Sequence, residues 1–363
     1  MEKTPSQNGF YMPAEWEKHE GTWLQWPHEN RYKGYQMRLE TIWLAMTEAL
    51  HENEVVHVAV IDERRKEHLL KQFEFYGFDL DNVDIHIIPT DDVWARDNGP
   101  IFLMNDNQEL AITDWNFNGW GGRFPSEKDS SVPERIAELL SIPFFKAPVV
   151  LEGGGIEVNG KGTLLATRSS IINPNRNPGK TQEEIEEALK QYLGVKHFIW
   201  LTGVPKEVSD KVGDITDFHI DGSARFVDES TVLYNWVDDP SDPSFPYFQK
   251  HLSELKESLT ESGKPLTLVP LPIPESEIIS TMNTTTSSPF RASPSFGLYI
   301  NFYVANTVVI VPVYGDINDV KAKNIISDHY PDRKIIGIPA HVIAELGGMI
   351  HCVTQQQPAV KLK

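Results

Sequence analysis

Cys352 is the only cysteine in the chain. It follows Gly347-Gly348-Met349-Ile350-His351 and precedes Val353-Thr354-Gln355-Gln356-Gln357-Pro358. A deprotonated thiol is a strong nucleophile, and a neighbouring imidazole or cationic ligand favours the thiolate. The paired glycines permit a tight backbone approach. The plain alternative is a small buried hydrophobe. His219 and Asp221 stand two residues apart in Gly213-Asp214-Ile215-Thr216-Asp217-Phe218-His219-Ile220-Asp221-Gly222. On a strand they would face the same side and form an acid/base and cation-binding pair. The same composition also makes an Asp-rich surface turn. Asp97 lies in Asp91-Asp92-Val93-Trp94-Ala95-Arg96-Asp97-Asn98-Gly99-Pro100. Trp94 beside carboxylates offers a planar cation a π face and acceptors; an Arg–Asp surface pair before a turn reads equally simply. Trp115 to Gly122, with Trp120 among glycines, could be a pocket wall or core packing around a turn. Glu152, ahead of three glycines, reads as a hydrogen-bond acceptor in a tight loop, a structural role.

These residues need a scaffold. Leu39, Ile42, Trp43, Met46 and Leu50 share one helical face. Thr181 with Glu184 forms a capping box, Ile185, Leu189, Tyr192 and Leu193 follow, and Gly194 ends the helix. Phe248, Leu252, Leu255 and Leu259 predict another apolar stripe. Short β-rich runs alternate with them at Val55–Val60, Val83–Ile88, Ile101–Met104, Leu164–Thr167, Phe198–Leu201, Val232–Trp236, Leu266–Val269, Leu298–Val304, Val308–Val313 and Ile335–Ile338. A strand, helix, strand, loop, strand order recurs near 22–104, 110–158, 163–227, 231–304 and 307–360, with little sequence identity between units. Gly153-Gly154-Gly155-Ile156 in the second unit is echoed by Gly347-Gly348-Met349-Ile350 in the fifth. Asp97, His219, Asp221 and Cys352 all precede or begin the last strand of a unit. If five units close into a ring, these positions meet at its centre. The polar stretch 283–295 reads as a loop. No low-complexity linker divides the chain, so a single domain over 1–363 is expected.

Composition narrows the function. The 363 residues carry 33 basic and 52 acidic side chains, a net charge of −19. That argues against nucleic acid or an anionic membrane as partner and suits a cationic small molecule. One cysteine excludes an intramolecular disulfide and a cysteine-based structural zinc site. No signal peptide and no membrane-length apolar run are visible, so a cytoplasmic location is expected.

Taken in order, Trp94 to Pro100, Trp115 to Gly122, Glu152 to Ile156, His219-Ile220-Asp221 and Ile350 to Pro358 resemble the agmatine deiminase family, related to the Porphyromonas-type peptidyl-arginine deiminases. The resemblance runs from about residue 20 to the C-terminus. It implies a five-bladed α/β propeller of the guanidine-modifying (pentein) superfamily and hydrolysis of a guanidinium group without metal or organic cofactor. It implies Cys352 as nucleophile, His219 as general acid/base, and Asp97 and Asp221 as the grip on the guanidinium nitrogens. It also implies agmatine as substrate, a place in putrescine and polyamine synthesis, and a homo-oligomer. Two segments depart from the family pattern. Leu346-Gly347-Gly348-Met349 replaces three glycines and an asparagine, and Asp214 to Phe218 replaces a loop that reaches the amine end of the substrate. Asp214 and Asp217 are the expected amine partners, and Phe218 could narrow the pocket. Deimination of arginine or a C-terminal peptidyl arginine is the rival reading. The short span after Cys352 and the missing leader favour the small-molecule enzyme. A non-catalytic cation binder is the alternative of another class, and it would need no thiol.

Overall fold

A computed structural model describes residues 3–360 apart from 79, 213, 243 and 276–296, so the polar stretch 283–295 lies outside the described residues. The fold is mixed α/β, built on five small sheets. The strands in chain order are β1 His19–Gln25, β2 Val55–Val60, β3 Val83–Ile87, β4 Ile101–Met104, β5 Leu110–Asp114, β6 Phe144–Lys146, β7 Ile156–Val158 and β8 Thr163–Thr167. They continue as β9 His197–Leu201, β10 Ala224–Phe226, β11 Thr231–Trp236, β12 Thr267–Pro272, β13 Tyr303–Val304, β14 Val308–Val313, β15 Lys334–Pro339 and β16 Thr354–Pro358. One sheet has the order β16-β1-β2-β3; the others are β4-β5-β6, β7-β8-β9, β10-β11-β12 and β13-β14-β15.

Each sheet repeats one logic. Its first strand pairs antiparallel with the second, and the second pairs parallel with the third. Parallel neighbours need a crossover, and a helix supplies it. These helices include Gln36–Leu50, Val132–Leu140, Gln182–Leu193, Phe245–Glu257 and Asp319–His329. The sequence units are therefore offset from the sheets by one strand. The last strand of each unit leaves it and pairs with the first strand of the next. The final strand β16 returns to β1, with Leu24 opposite Thr354, which joins the two ends of the chain in one sheet.

The expected helices form for local reasons. Leu39, Ile42, Trp43, Met46 and Leu50 of Gln36–Leu50 are all buried, each contributing about 1.5–3 kcal/mol on the transfer scale. The Thr181–Glu184 capping box is present, and Gly194 closes that helix in the left-handed conformation at φ 71°. Two expectations are corrected. The helix bearing Phe248 ends at Glu257, so Leu259 falls outside it, bridges to Pro265 and is 44% exposed. The run 298–304 yields only β13, because residues 299–301 form a turn. Among the described residues, no helix is long and apolar enough to cross a membrane.

Candidate active site

Each sheet is preceded by a short turn, and these turns converge. Ala95–Asn98 precedes β4, Gly153–Gly155 precedes β7, Ile220–Gly222 precedes β10 and His351–Val353 precedes β16. The turn at 299–301 precedes β13. Asp97, Gly154, His219, Asp221, Asn301 and Cys352 arrive on these segments from all five sheets. His219 and Asp221 do not lie on a strand as expected; a 3-10 turn links them and the strand starts only at Ala224.

Gly154 marks the meeting point. A Cβ placed there would stand 2.7 Å from His219 Nδ1, 2.8 Å from Asp97 Oδ1 and 3.0 Å from Asp221 Oδ2. The missing side chain thus leaves room between three charged groups. The Gly154 N–H donates to Asp97 Oδ1 at 3.1 Å. His219 Nδ1 is 3.6 Å from the same oxygen. Its other ring nitrogen, Nε2, lies 3.3 Å from Glu152 Oε2. Glu152 is fully buried and accepts from Arg176 Nε at 2.7 Å. Sequence reasoning makes Glu152 a structural acceptor and misses that it holds the histidine.

The thiol is the half-buried member of the set. Cys352 Sγ is 3.4 Å from Asn301 Oδ1 and 3.9 Å from Asp221 Oδ2. The same Asn301 oxygen accepts the His351 N–H at 3.0 Å and the Cys352 N–H at 3.3 Å, so it anchors the nucleophile's turn. Gly348 packs on Trp94: a Cβ there would fall 2.3 Å from the indole and 3.2 Å from Cys352 Cβ. A hub of charge lies beneath. His351 Nδ1 is 2.8 Å from Asp221 Oδ2, and its Nε2 is 2.7 Å from Glu15 Oε2. Arg225 and Arg96 also reach Glu15. Glu15, Asn301, His351 and Arg176 are not expected from sequence. Their partners lie tens to hundreds of residues away, and no local spacing signals them.

Electrostatics separates the roles. Burial pushes the Cys352 thiol well above its ordinary pKa, and Asp221 and Asp97 add to that. Burial also raises Asp97, with help from Asp221 and Glu152, to about 6. Burial opposes a charged His219, but Asp97, Glu152 and Asp221 overcome it and raise the ring to about 9. Burial would raise Asp221 too, but His351, then His219 and Arg225, hold it below its ordinary value. Near neutral pH the site therefore holds a thiol, a protonated imidazole and anionic carboxylates.

The remaining expected contacts sort differently. Trp120 is buried and its Nε1–H donates to Asp97 Oδ2 at 2.8 Å, so it orients the carboxylate. Trp94 is buried beneath Gly348, beside the turn that carries Cys352. Asp217 is not available to an amine. Arg123 donates to both its oxygens at 2.7 and 2.8 Å, and Arg176 and Asn175 donate at 2.6 and 3.0 Å. Burial opposes its charge, but these donors hold it below the usual carboxylate range. Asp217 and Phe218 both take positive φ, 59° and 66°, which turns Asp217 inward and Phe218 toward the cavity. Asp214 does line the cavity, together with Phe218, Phe248, Cys352 and a carboxylate that sequence reasoning misses, Asp242.

Comparison with known proteins matches this geometry to a family. The family model of Porphyromonas-type peptidyl-arginine deiminase matches residues 11–358. An agmatine deiminase of Pseudomonas aeruginosa (strain LESB58) is 35% identical, over 98% of this chain and 97% of its own. The solved agmatine deiminase of Enterococcus faecalis superposes with a TM-score of 0.85 at 29% identity, covering 99% of this chain and 98% of that one. A C. jejuni agmatine deiminase, solved as a cysteine-to-serine variant with substrate bound, gives 0.82 at 29% identity and covers 97% of each chain.

Proposed function

The chain belongs to the Porphyromonas-type peptidyl-arginine deiminase family, and from that premise we propose that it is an agmatine deiminase, hydrolysing agmatine to N-carbamoylputrescine and ammonia. The observation that carries this reading is the gap over Gly154, bounded by Asp97, Asp221 and His219, beside the only thiol of the chain.

Two carboxylates can each accept N–H donors from a guanidinium and hold its plane still. Binding the cation also neutralises Asp97 and Asp221, two of the groups that oppose thiolate formation at Cys352. As the cation binds, Cys352 gives its proton to solvent; the thiolate attacks the guanidinium carbon, His219 gives a proton to the leaving nitrogen, and ammonia departs. The carbon is then an S-alkylthiouronium on Cys352. His219, now neutral, takes a proton from water as that water attacks the same carbon. The C–S bond breaks, the thiolate is restored, the new hydroxyl loses its proton to the departing ammonia or solvent, and the ureido product leaves. Covalent catalysis divides one difficult displacement into two easier ones. Glu152 keeps the ring oriented and sustains its charged form.

The substrate tail lies along Phe218 and Phe248, with its amine toward Asp214 and Asp242. Asp214 accepts from Phe218 N at 2.9 Å and from Thr216 Oγ1 at 2.6 Å, and a carboxylate has lone pairs for a further donor. An arginine would bring its own carboxylate to this acidic wall, while the nearby Arg123 and Arg176 are already committed to Asp217. This favours agmatine over arginine. The five sheets, each entered by a site-bearing turn, support the five-bladed α/β propeller arrangement within one domain. A cytoplasmic homo-oligomer supplying putrescine synthesis completes the proposal.

The test is ammonia release and product identification with agmatine, arginine and an arginine-terminated peptide, with Cys352→Ala as control. N-carbamoylputrescine from agmatine alone, lost in the variant, is expected. Turnover of arginine or the peptide in preference to agmatine would move the substrate, and turnover of none would refute the assignment.

A further inference from the structure

Away from the active site, β2 and β3 carry a second set of donor side chains on one sheet face. The parallel register sets His57 beside Asp84 and Ala59 beside His86. Side chains alternate along strands, so 57, 84 and 86 project to the same side. His57 Nδ1 is 3.2 Å from His86 Nε2 and 3.6 Å from Asp84 Oδ2. All three donor atoms lie within 4.8 Å of one another. Zinc bonds of about 2.0–2.2 Å in a tetrahedron place neighbouring donors about 3.4 Å apart. The two shorter separations here bracket that edge.

The rings are held in place by packing. Trp23 of β1 stacks on His57 at 4.4 Å and 19°, and on His86 at 5.2 Å and 28°. The Trp23 Nε1–H is itself tied to Gln357 Oε1 at 2.9 Å. On another side, a Cβ at Gly21 would meet the His57 ring at 3.1 Å, so the ring sits close against that backbone. At most metal-binding histidines a hydrogen bond to the second ring nitrogen fixes the ring; here the outer nitrogen of His57 is buried without one and packing alone holds the ring. The access is graded: the His57 side chain is 8% exposed and that of Asp84 60%. Solvent thus reaches the carboxylate side, where an ion would enter and keep a water as fourth ligand. Two imidazoles and one carboxylate suit Zn²⁺ and its late first-row neighbours over Mg²⁺ or Ca²⁺.

We propose that His57, Asp84 and His86 form a binding site for one divalent transition-metal ion, Zn²⁺ being the probe that fits the donor set best. The ion joins β2 to β3 and takes no part in the chemistry at Cys352. It is a structural clip on the sheet that also carries β16, the strand following the nucleophile.

The test uses the full chain carrying Cys352→Ala, so that the active-site thiol cannot compete for metal. Calorimetric titration with Zn²⁺ should give one ion per chain. Loss of an outer partner of a metal-bound histidine costs about 10- to 100-fold in affinity, so loss of a direct donor should cost about a hundredfold or more. His86→Gln and Asp84→Asn, at less buried positions than His57, are the variants that measure it. Zn²⁺ should raise Tm in the parent and not in either variant. Co²⁺ should give the intense visible bands of four-coordinate cobalt and quench tryptophan fluorescence, with the quenching lost in Trp23→Phe. Undiminished Zn²⁺ affinity in both ligand variants, or no stoichiometric binding in the parent, would overturn the site. Because Cys352 is absent throughout, neither outcome bears on deimination.

Discussion

Cys352 Sγ lies 3.9 Å from Asp221 Oδ2, so the nucleophile and a substrate-gripping carboxylate share one electrostatic environment. At that range two unit charges interact by about 4 kcal/mol at an effective dielectric of 20. Even a quarter of that is about 0.7 of a pKa unit. The free protein should therefore resist alkylation at neutral pH. In Asp221→Asn one negative charge leaves the thiol, and the Cys352 pKa should fall. Iodoacetamide modification followed against pH should shift to lower pH in the variant. An unshifted profile would mean that burial and Asp97, and not Asp221, set the thiol.

Asp97 and Asp221 grip the guanidinium from two sides, so neither can cover for the other. Asp97→Asn and Asp221→Asn should each lower turnover of agmatine by at least the roughly 100- to 1000-fold seen on removing one oxyanion-hole donor. Steady-state kinetics on folded variants decides this. Near-parental kcat in both would remove the assigned grip.

The pH dependence should have two limbs. Asp97 is raised to about 6 and must be ionised to bind, so kcat/KM should fall as pH drops through that value. His219 is raised to about 9 and must be protonated to release ammonia, so kcat, read once the bound cation has eased the thiolate, should fall as pH rises through about that value. Each limb has its own handle. Trp120→Phe removes a hydrogen bond that lowers Asp97, and should move the acid limb upward. Glu152→Gln weakens the charged imidazole and should move the alkaline limb downward. Stability follows the same sign for His219. Its contribution is complete below the ordinary value of 6.5 and is lost as pH rises through about 9.

The site is legible in the sequence because each chemical residue sits in a short turn rich in Gly and Asp, and such turns can be read locally. The helix Gln182–Leu193 is legible for the same reason, since its capping box and Gly194 lie within one segment. Pairing partners cannot be read this way. The offset between sequence units and sheets arises because β4, β7, β10, β13 and β16 each pair with the strand of another unit. Asp217 misleads because Arg176 and Arg123 reach it from 41 and 94 positions away. His351 escapes notice for the same cause, as Asp221 and Glu15 lie 130 and 336 positions distant. The apolar period of the helix Phe245–Glu257 runs on to Leu259, but the helix stops at Ser258, where the backbone turns extended.

Asp217 gives a prediction that separates support from substrate contact. Asp217→Asn takes one carboxylate from the buried Arg176, which keeps Glu152, and from the half-buried Arg123. Removing one partner of a buried pair costs up to about 3–5 kcal/mol, and less where another carboxylate remains. Tm should therefore drop, while KM for agmatine at a temperature where the variant is folded should change less than in Asp214→Asn. A larger KM effect from Asp217 would return it to the amine end of the pocket.

Gly154→Ala tests the gap itself. Gly154 is not among the glycines with positive φ, so alanine is not strained by its backbone. The new Cβ would nevertheless stand within 3.0 Å of His219 Nδ1, Asp97 Oδ1 and Asp221 Oδ2. Those groups must move apart or the methyl must fill the space meant for the guanidinium. A displacement near 1 Å at reacting groups costs about 100-fold in rate. The variant should remain folded, with a far-ultraviolet circular dichroism spectrum like the parent's, and lose at least that factor in kcat/KM. A competent Gly154→Ala enzyme would show that the substrate binds elsewhere. The three charged groups around Gly154 would then be a structural cluster, and the thiol beside them would need another partner.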